Sequence, residues 1–300
     1  MSGQDSSSYD EFWNMPTISH ATTGYQYQYF GGLAAPYDRH PTVNISSLPP
    51  VPDMIYRSCY YVCPTDSCNA GRAVFALRCP DKPSLLRWVS SRAEWFVGWC
   101  ESDDFEHEST RPGQEFSASE DILTHYVCRI DRVFRNQECE HTGPEANRQF
   151  ALLITDCWSI GTEFTTFYET SWYDHISAGN TIRESYYTVN NQTGKTLELK
   201  DLVIEKKMPE LAELMLNYLK DSFNVLWTEN NKTNDPLTIL ESMDGFGLVR
   251  EGLVISFHPY KIASGVEGEI TAVIPYEKLN GFLKAGFEKC YARAKSRPYE

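Results

Sequence analysis

Hydrophobic residues recur at helical spacing in three stretches of the chain. Leu85, Leu86, Val89, Ala93, Phe96 and Val97 follow Pro83-Ser84 and form one apolar stripe, which predicts a helix opening there. Ile122, Leu123, Tyr126, Val127, Ile130, Val133 and Phe134 form a second stripe behind a Ser117 or Ser119 cap. Leu211, Leu214, Met215, Tyr218, Leu219, Phe223 and Leu226 form a third, with Pro209 in its first turn. Tyr276, Leu279, Leu283 and Phe287 predict a closing helix after Pro275.

The remaining apolar runs have strand character. Met54–Cys63 and Arg72–Cys79 flank Pro64, Asp66, Asn69 and Gly71, which reads as a hairpin with a long loop. Phe150–Thr155 reads as a strand apolar on both faces. Glu163–Trp172 and Ile182–Val189 are rich in Thr, Tyr, Phe and Trp, as strands prefer. Asn190–Lys195 is a turn and Thr196–Leu199 a short returning strand. Glu251-Gly252 turns Phe246–Val249 into Leu253–Phe257, and Glu269–Ile274 is a further strand. Strands in consecutive runs with helices between them favour an α+β class, with antiparallel sheets carrying amphipathic helices, over alternating βαβ units. Residues 1–48 show neither periodicity and read as a flexible or surface-draped segment. Pro49, Pro50 and Pro52 then open a Cys-rich unit over 49–145, and Gly143-Pro144 precedes a second unit of similar size over 146–295.

Composition narrows the function classes. At 300 residues, 41% hydrophobic and 23% charged, the chain can bury a core. A net charge of −14 opposes broad binding to nucleic acid. No apolar run is long enough for a membrane span. Nine cysteines, seven of them between 59 and 139, are dense for a reducing compartment and favour a disulfide-bearing envelope or periplasmic protein. The first residues, MSGQDSSSYDEF, have no basic start and no apolar signal core. The expectation is therefore an exported domain from which the signal has been removed. With the hairpin centred near Cys68 and Asn69, Cys59 falls opposite Cys79, and Cys63–Cys68 closes the loop.

A Tyr-rich strand is followed by TGKTLELKDL (Thr193–Leu202), a long helix, and GLVISFHPYKIASGVEGEITAVIPYEKL (Gly252–Leu279). In this order of segments residues 146–290 resemble the C-terminal domain family of RsiV, the lysozyme-sensing anti-sigma factor, a domain of unknown function also found in polysaccharide-deacetylase-type envelope proteins. Pro259-Tyr260 and Pro275-Tyr276 match the family's pattern in type and spacing. At 172–181 the chain departs from it, with WYDHISAGNT where relatives carry Gly-Gly-Ala-His. Residues 49–145 vaguely resemble the usual partner domain, through LRCPDKP and the helix after it. The resemblance implies a non-enzymatic, lipoprotein-borne envelope module whose partner is peptidoglycan or a lysozyme-like protein, with no cofactor.

Enzyme motifs are few. Seven histidines stand at 20, 40, 107, 125, 141, 175 and 258, no two of them three or four apart, so the metal site of a deacetylase is not written here. Cys59, Cys63, Cys68 and Cys79 have poor knuckle spacing for zinc, which leaves a zinc-stabilised module as an alternative. Cys157 with His175 or His258 is a conceivable nucleophile pair, and a hydrolase with a site in 150–190 is the other alternative. No G-x-S-x-G, Walker or dinucleotide motif occurs. The candidate contact residues are Trp172, Tyr173, Asp174 and His175 in the aromatic-rich stretch, and His258 and Tyr260 at a strand end.

Overall fold

The computed structural model describes residues 17–19, 26–28, 55–62, 70–102, 114–136, 148–160, 162–174, 181–222, 235–249, 252–258, 261–262 and 270–287. Two three-residue strands, β1 (Thr17–Ser19) and β2 (Gln26–Gln28), pair only with each other. Strands so short leave no alternation in the sequence, so the segment read as structureless hides a small hairpin.

Eight further strands form one sheet. They are β3 (Ile55–Val62), β4 (Ala70–Leu77), β5 (Arg148–Ile160), β6 (Phe164–Asp174), β7 (Thr181–Asn190), β8 (Gly245–Leu248), β9 (Gly252–Phe257) and β10 (Ile270–Pro275). Their spatial order is their chain order. All neighbours are antiparallel except β4/β5 and β7/β8. Parallel neighbours need long crossovers, and these two connections hold the helices. The first carries α1 (Pro83–Ser102) and α2 (Ser119–Asn136); the second carries α3 (Leu199–Leu202), α4 (Met208–Ser222) and α5 (Pro236–Glu241). This is the α+β class that the runs of strands implied, and the parallel β4/β5 pairing carries the sheet continuously from the Cys-rich half into the second half.

Most described residues of the predicted stripes are buried; Val133, Leu214 and Tyr218 are half-buried, and Phe223 and Leu226 lie outside the described residues. Leu85, Leu86, Val89, Ala93, Phe96 and Val97 of α1 meet Ile122, Leu123, Tyr126, Val127 and Ile130 of α2 over Phe75, Leu77, Ala151 and Leu153 of the sheet. Leu211, Met215 and Leu219 of α4 cover Phe246, Leu248, Leu253, Ile255 and Phe257 in a second cluster. Tyr187 and Phe246 are register partners across the β7/β8 seam, so both helix layers lie on the same side of the sheet. On the other side Tyr168, Tyr186, Val249 and Val254 form a small buried cluster.

Three local expectations change. Thr196–Leu199 is not a strand: Thr196 makes one bridge to Val189, and Glu198 then opens α3 through a reciprocal capping box with Asp201. The closing helix is broken. A 3-10 turn over Tyr276–Lys278 gives way at Gly281 (φ 75°), and Leu283 bridges to Val203. All four apolar residues of that stripe are still buried, which is why the pattern alone read as one helix. The third change concerns the cysteines. In the β3/β4 hairpin Cys59 faces Ala73, six residues short of Cys79. At about 3.3 Å per residue the two are roughly 20 Å apart along the strand, which rules out a Cys59–Cys79 bridge. Cys79, Cys100, Cys128 and Cys157 stand as thiols. The proposed Cys63–Cys68 bridge lies outside the described residues.

Candidate functional site

Over the β7/β8 seam, between the 196–200 link and the ends of α4 and α5, lies a cleft of about 380 Å³. Its walls are largely apolar: Tyr187 of β7, Leu197, Met208 of α4, Leu240 of α5, Met243 and Phe246 of β8. Glu198, Lys200, Glu241 and Asp244 supply its polar groups. Concave, largely apolar clefts with a few polar groups are common ligand sites. Here a single register pair joins β7 to β8. The 196–200 link forms one wall and is tied to α1 by Trp88, whose Nε1 donates to Thr196 Oγ1 at 2.8 Å.

Beside the cleft runs a line of buried polar side chains. Ser185 of β7 stands opposite Glu169 of β6. Arg92 of α1 reaches down to Glu169 with two bonds, Nε to Oε2 at 3.0 Å and Nη2 to Oε1 at 2.6 Å. The guanidinium also lies over the rings of Tyr187 and Trp95, at 4.8 and 4.6 Å from their centroids. Burial opposes its charge, and Glu169 more than offsets this, so Arg92 holds its proton more tightly than usual. Next in line is His258, just past β9. Its Nε2 is 2.9 Å from Ser185 Oγ and its Nδ1 is 3.2 Å from Asp244 Oδ1. Its backbone N–H donates to Asp244 Oδ2 at 2.7 Å, and Lys261 Nζ lies 3.9 Å from the same carboxylate.

Burial holds the His258 imidazole below its ordinary value, reinforced by Arg183 and Lys261 and opposed by Asp244 and Glu169. The neutral ring places its proton on Nδ1, facing the carboxylate, so Nε2 accepts from the Ser185 hydroxyl. Hydroxyl, imidazole and carboxylate thus stand in the order of a hydrolase relay. The setting differs from one. Ser185 is 3% exposed in the middle of a regular strand, whereas a serine nucleophile sits on an exposed, strained turn beside N–H donors for an oxyanion. The relay instead ties the start of β8 to β7 and orients Asp244 on the cleft wall.

The low His258 titration sets a sign for pH. In the unfolded chain the imidazole protonates near 6.5. In the fold it does so lower, so its contribution is intact above that value and is lost as pH falls below it. Urea denaturation between pH 7 and pH 5 should therefore show a shallower loss of stability in His258→Gln than in the parent. Equal slopes would remove the buried neutral imidazole.

Of the residues singled out in the sequence, only His258 belongs to this constellation. Trp172, Tyr173 and Asp174 end β6 in register with Leu152, Ala151 and Phe150. His175 and Tyr260 lie outside the described residues, so Cys157–His175 is not placed. Cys157 points into the core under α1, on the strand remote from β9. Among the described residues no group of His, Cys, Asp or Glu is arranged to hold a metal ion, and no helix is long and apolar enough to cross a membrane. Ser185, Glu169, Arg92 and Asp244 carried no motif in the sequence, because they come from four separate elements.

Residues 200–277 match a family described as a protein of unknown function, DUF3298. The matched segment runs from α3 through β10 and includes Asp244, His258 and one side of the cleft; Ser185 and Tyr187 precede it. The fold is similar to that of a DUF3298 family member from Bacteroides fragilis, at a TM-score of 0.52 and 14% identity, over 82% of this chain and 97% of that one. A DUF3298 family protein from Pseudomonas aeruginosa aligns over 80% of this chain and 97% of its own, at 15% identity and a TM-score of 0.47. No curated protein matches. The resemblance read from Thr193–Leu202 and Gly252–Leu279 is thereby supported at the level of this domain of unknown function.

Proposed function

We propose that the chain is a non-catalytic envelope module whose β7/β8 cleft binds a cell-wall glycan. The observation that carries this reading is the cleft itself. About 380 Å³ is room for one or two sugar rings, with Tyr187 and Phe246 among apolar walls that suit the C–H faces of sugars. Glu198, Glu241 and Asp244 are acceptors for hydroxyl groups, and Lys200 is a donor. The Ser185–His258–Asp244 line keeps one of those acceptors in a fixed orientation, which lowers the ordering cost of binding. Cysteine density and the resemblance to an envelope domain support the compartment.

A second reading has its own support. A chain at −14 attracts basic proteins, and lysozymes are usually basic. That partner would meet the outer acidic surface and have no need of the cleft.

One set of titrations separates the readings. Soluble peptidoglycan fragments should bind with a Kd below about 1 mM, and Met243→Trp, which fills the cleft, should weaken them at least tenfold (about 1.4 kcal/mol). Lysozyme binding that Met243→Trp leaves unchanged, without fragment binding, moves the function to the acidic surface. Binding of neither overturns both readings. A fluorophosphonate probe should leave Ser185 unmodified; covalent labelling there would establish the hydrolase reading.

A further inference from the structure

The register of β4 and β5 places two thiols side by side. These strands pair in parallel, with Phe75 opposite Leu153 and Leu77 opposite Thr155. The last of these pairs is closed by the Arg78 N–H, which donates to the Thr155 carbonyl at 2.9 Å. Extended by two residues past the end of β4, the same register brings Cys79 level with Cys157. Neighbouring strands lie about 4.8 Å apart, inside the Cα separation that a disulfide spans. Both side chains face the helices: Cys157 belongs to the core under α1 and α2, and Cys79 packs against its edge. Their proximity also registers electrically, since Cys157 is among the groups that push the Cys79 thiol up, after burial.

We propose that Cys79 and Cys157 form a disulfide in an oxidising environment, a covalent staple joining the Cys-rich half of the sheet to the second half. The pairing is independent of what occupies the cleft. With a small disulfide such as glutathione disulfide as oxidant, one protein thiolate attacks it to give a mixed disulfide and one glutathione. The second protein thiolate then attacks the protein sulfur of that mixed disulfide. One protein S–S bond forms, two protein S–H groups are lost, and the oxidant leaves as two glutathione thiols. Both thiols are shielded in the fold, and burial raises Cys79, so the folded protein supplies little thiolate at neutral pH. Pairing is accordingly faster while the chain folds, before α1 and α2 close over the sheet.

The full chain is refolded from denaturant in a mixture of oxidised and reduced glutathione, blocked with an alkylating agent and digested without reductant. A linked peptide containing Cys79 and Cys157 is expected. It should vanish on reduction and be absent from Cys157→Ala, in which Cys79 is recovered alkylated. Oxidising the already folded protein should give the same linkage at least tenfold more slowly. Recovery of Cys79 and Cys157 both alkylated after oxidative refolding overturns the proposal, as does either one linked to a different cysteine.

Discussion

Arg92→Ala should cost about 3–5 kcal/mol of stability at pH 7, measured by urea denaturation. The reason is the group left behind. Glu169 is 3% exposed and Arg92 23%, so the pair has little water to fall back on. Removing the guanidinium leaves a carboxylate beneath α1 without its two charge-assisted donors. The loss measures the stranded charge, not the worth of the pair. The double variant Arg92→Met with Glu169→Leu, which removes both charges and keeps the volume, should recover most of the stability. A single-variant loss under about 1 kcal/mol would mean that water reaches Glu169. Arg92 also lies over Tyr187, so the single variant should weaken ligand binding in the cleft.

Gly245→Ala should cost about 2–3 kcal/mol and open the same seam. A Cβ at this position would sit 2.3 Å from the Tyr186 carbonyl oxygen and 3.2 Å from the Tyr186 nitrogen. Both obstacles are backbone, so no side-chain rotation relieves them, and β8 has to move away from β7. Those strands share one register pair, which is the weakest join in the eight-stranded sheet. Gly286 is the control, since a Cβ there meets nothing within 4 Å. Gly286→Ala should change stability by less than about 0.5 kcal/mol or raise it slightly. Equal losses in the two variants would show that β7 and β8 are not held this close.

Periodicity found most of the regular elements, because burying one face of a helix or strand imposes a spacing that survives in the sequence. The stripes from Leu85 and from Ile122 supply the buried faces of α1 and α2, and β8 pairs antiparallel with β9 as the expected hairpin requires. The misreadings have physical causes as well. Tyr276, Leu279, Leu283 and Phe287 are all buried, but Gly281 turns the chain and Leu283 pairs with Val203, a contact 80 positions away that no local pattern records. Cys59 was set against Cys79 by assuming where the hairpin turns. A shift of that centre moves every partner, and the observed register pairs Val62 with Ala70 and therefore Cys59 with Ala73.

The candidate site was scarcely legible. His258 was singled out as one residue at a strand end, and its partners were not. Ser185, Glu169 and Arg92 look like ordinary strand and helix residues until β6, β7 and α1 are superposed. Asp244 opens Asp244-Gly245-Phe246-Gly247, which is similar to a kinase tripeptide with nothing else of a kinase around it, and that likeness does not point to His258.

By itself the sequence determined most of the elements, the α+β class, the acidic charge that bears on partners, and the likeness to a domain of unknown function, since each depends on residues close in the chain or on their sum. Only the tertiary structure decided that both halves share one sheet, that a cleft lies over β7 and β8, and that Ser185, His258 and Asp244 form a line. It also decided that Cys59 faces Ala73 and not Cys79. These are matters of register and of contact between distant segments, which depend on how the elements pack together and leave no period in the chain.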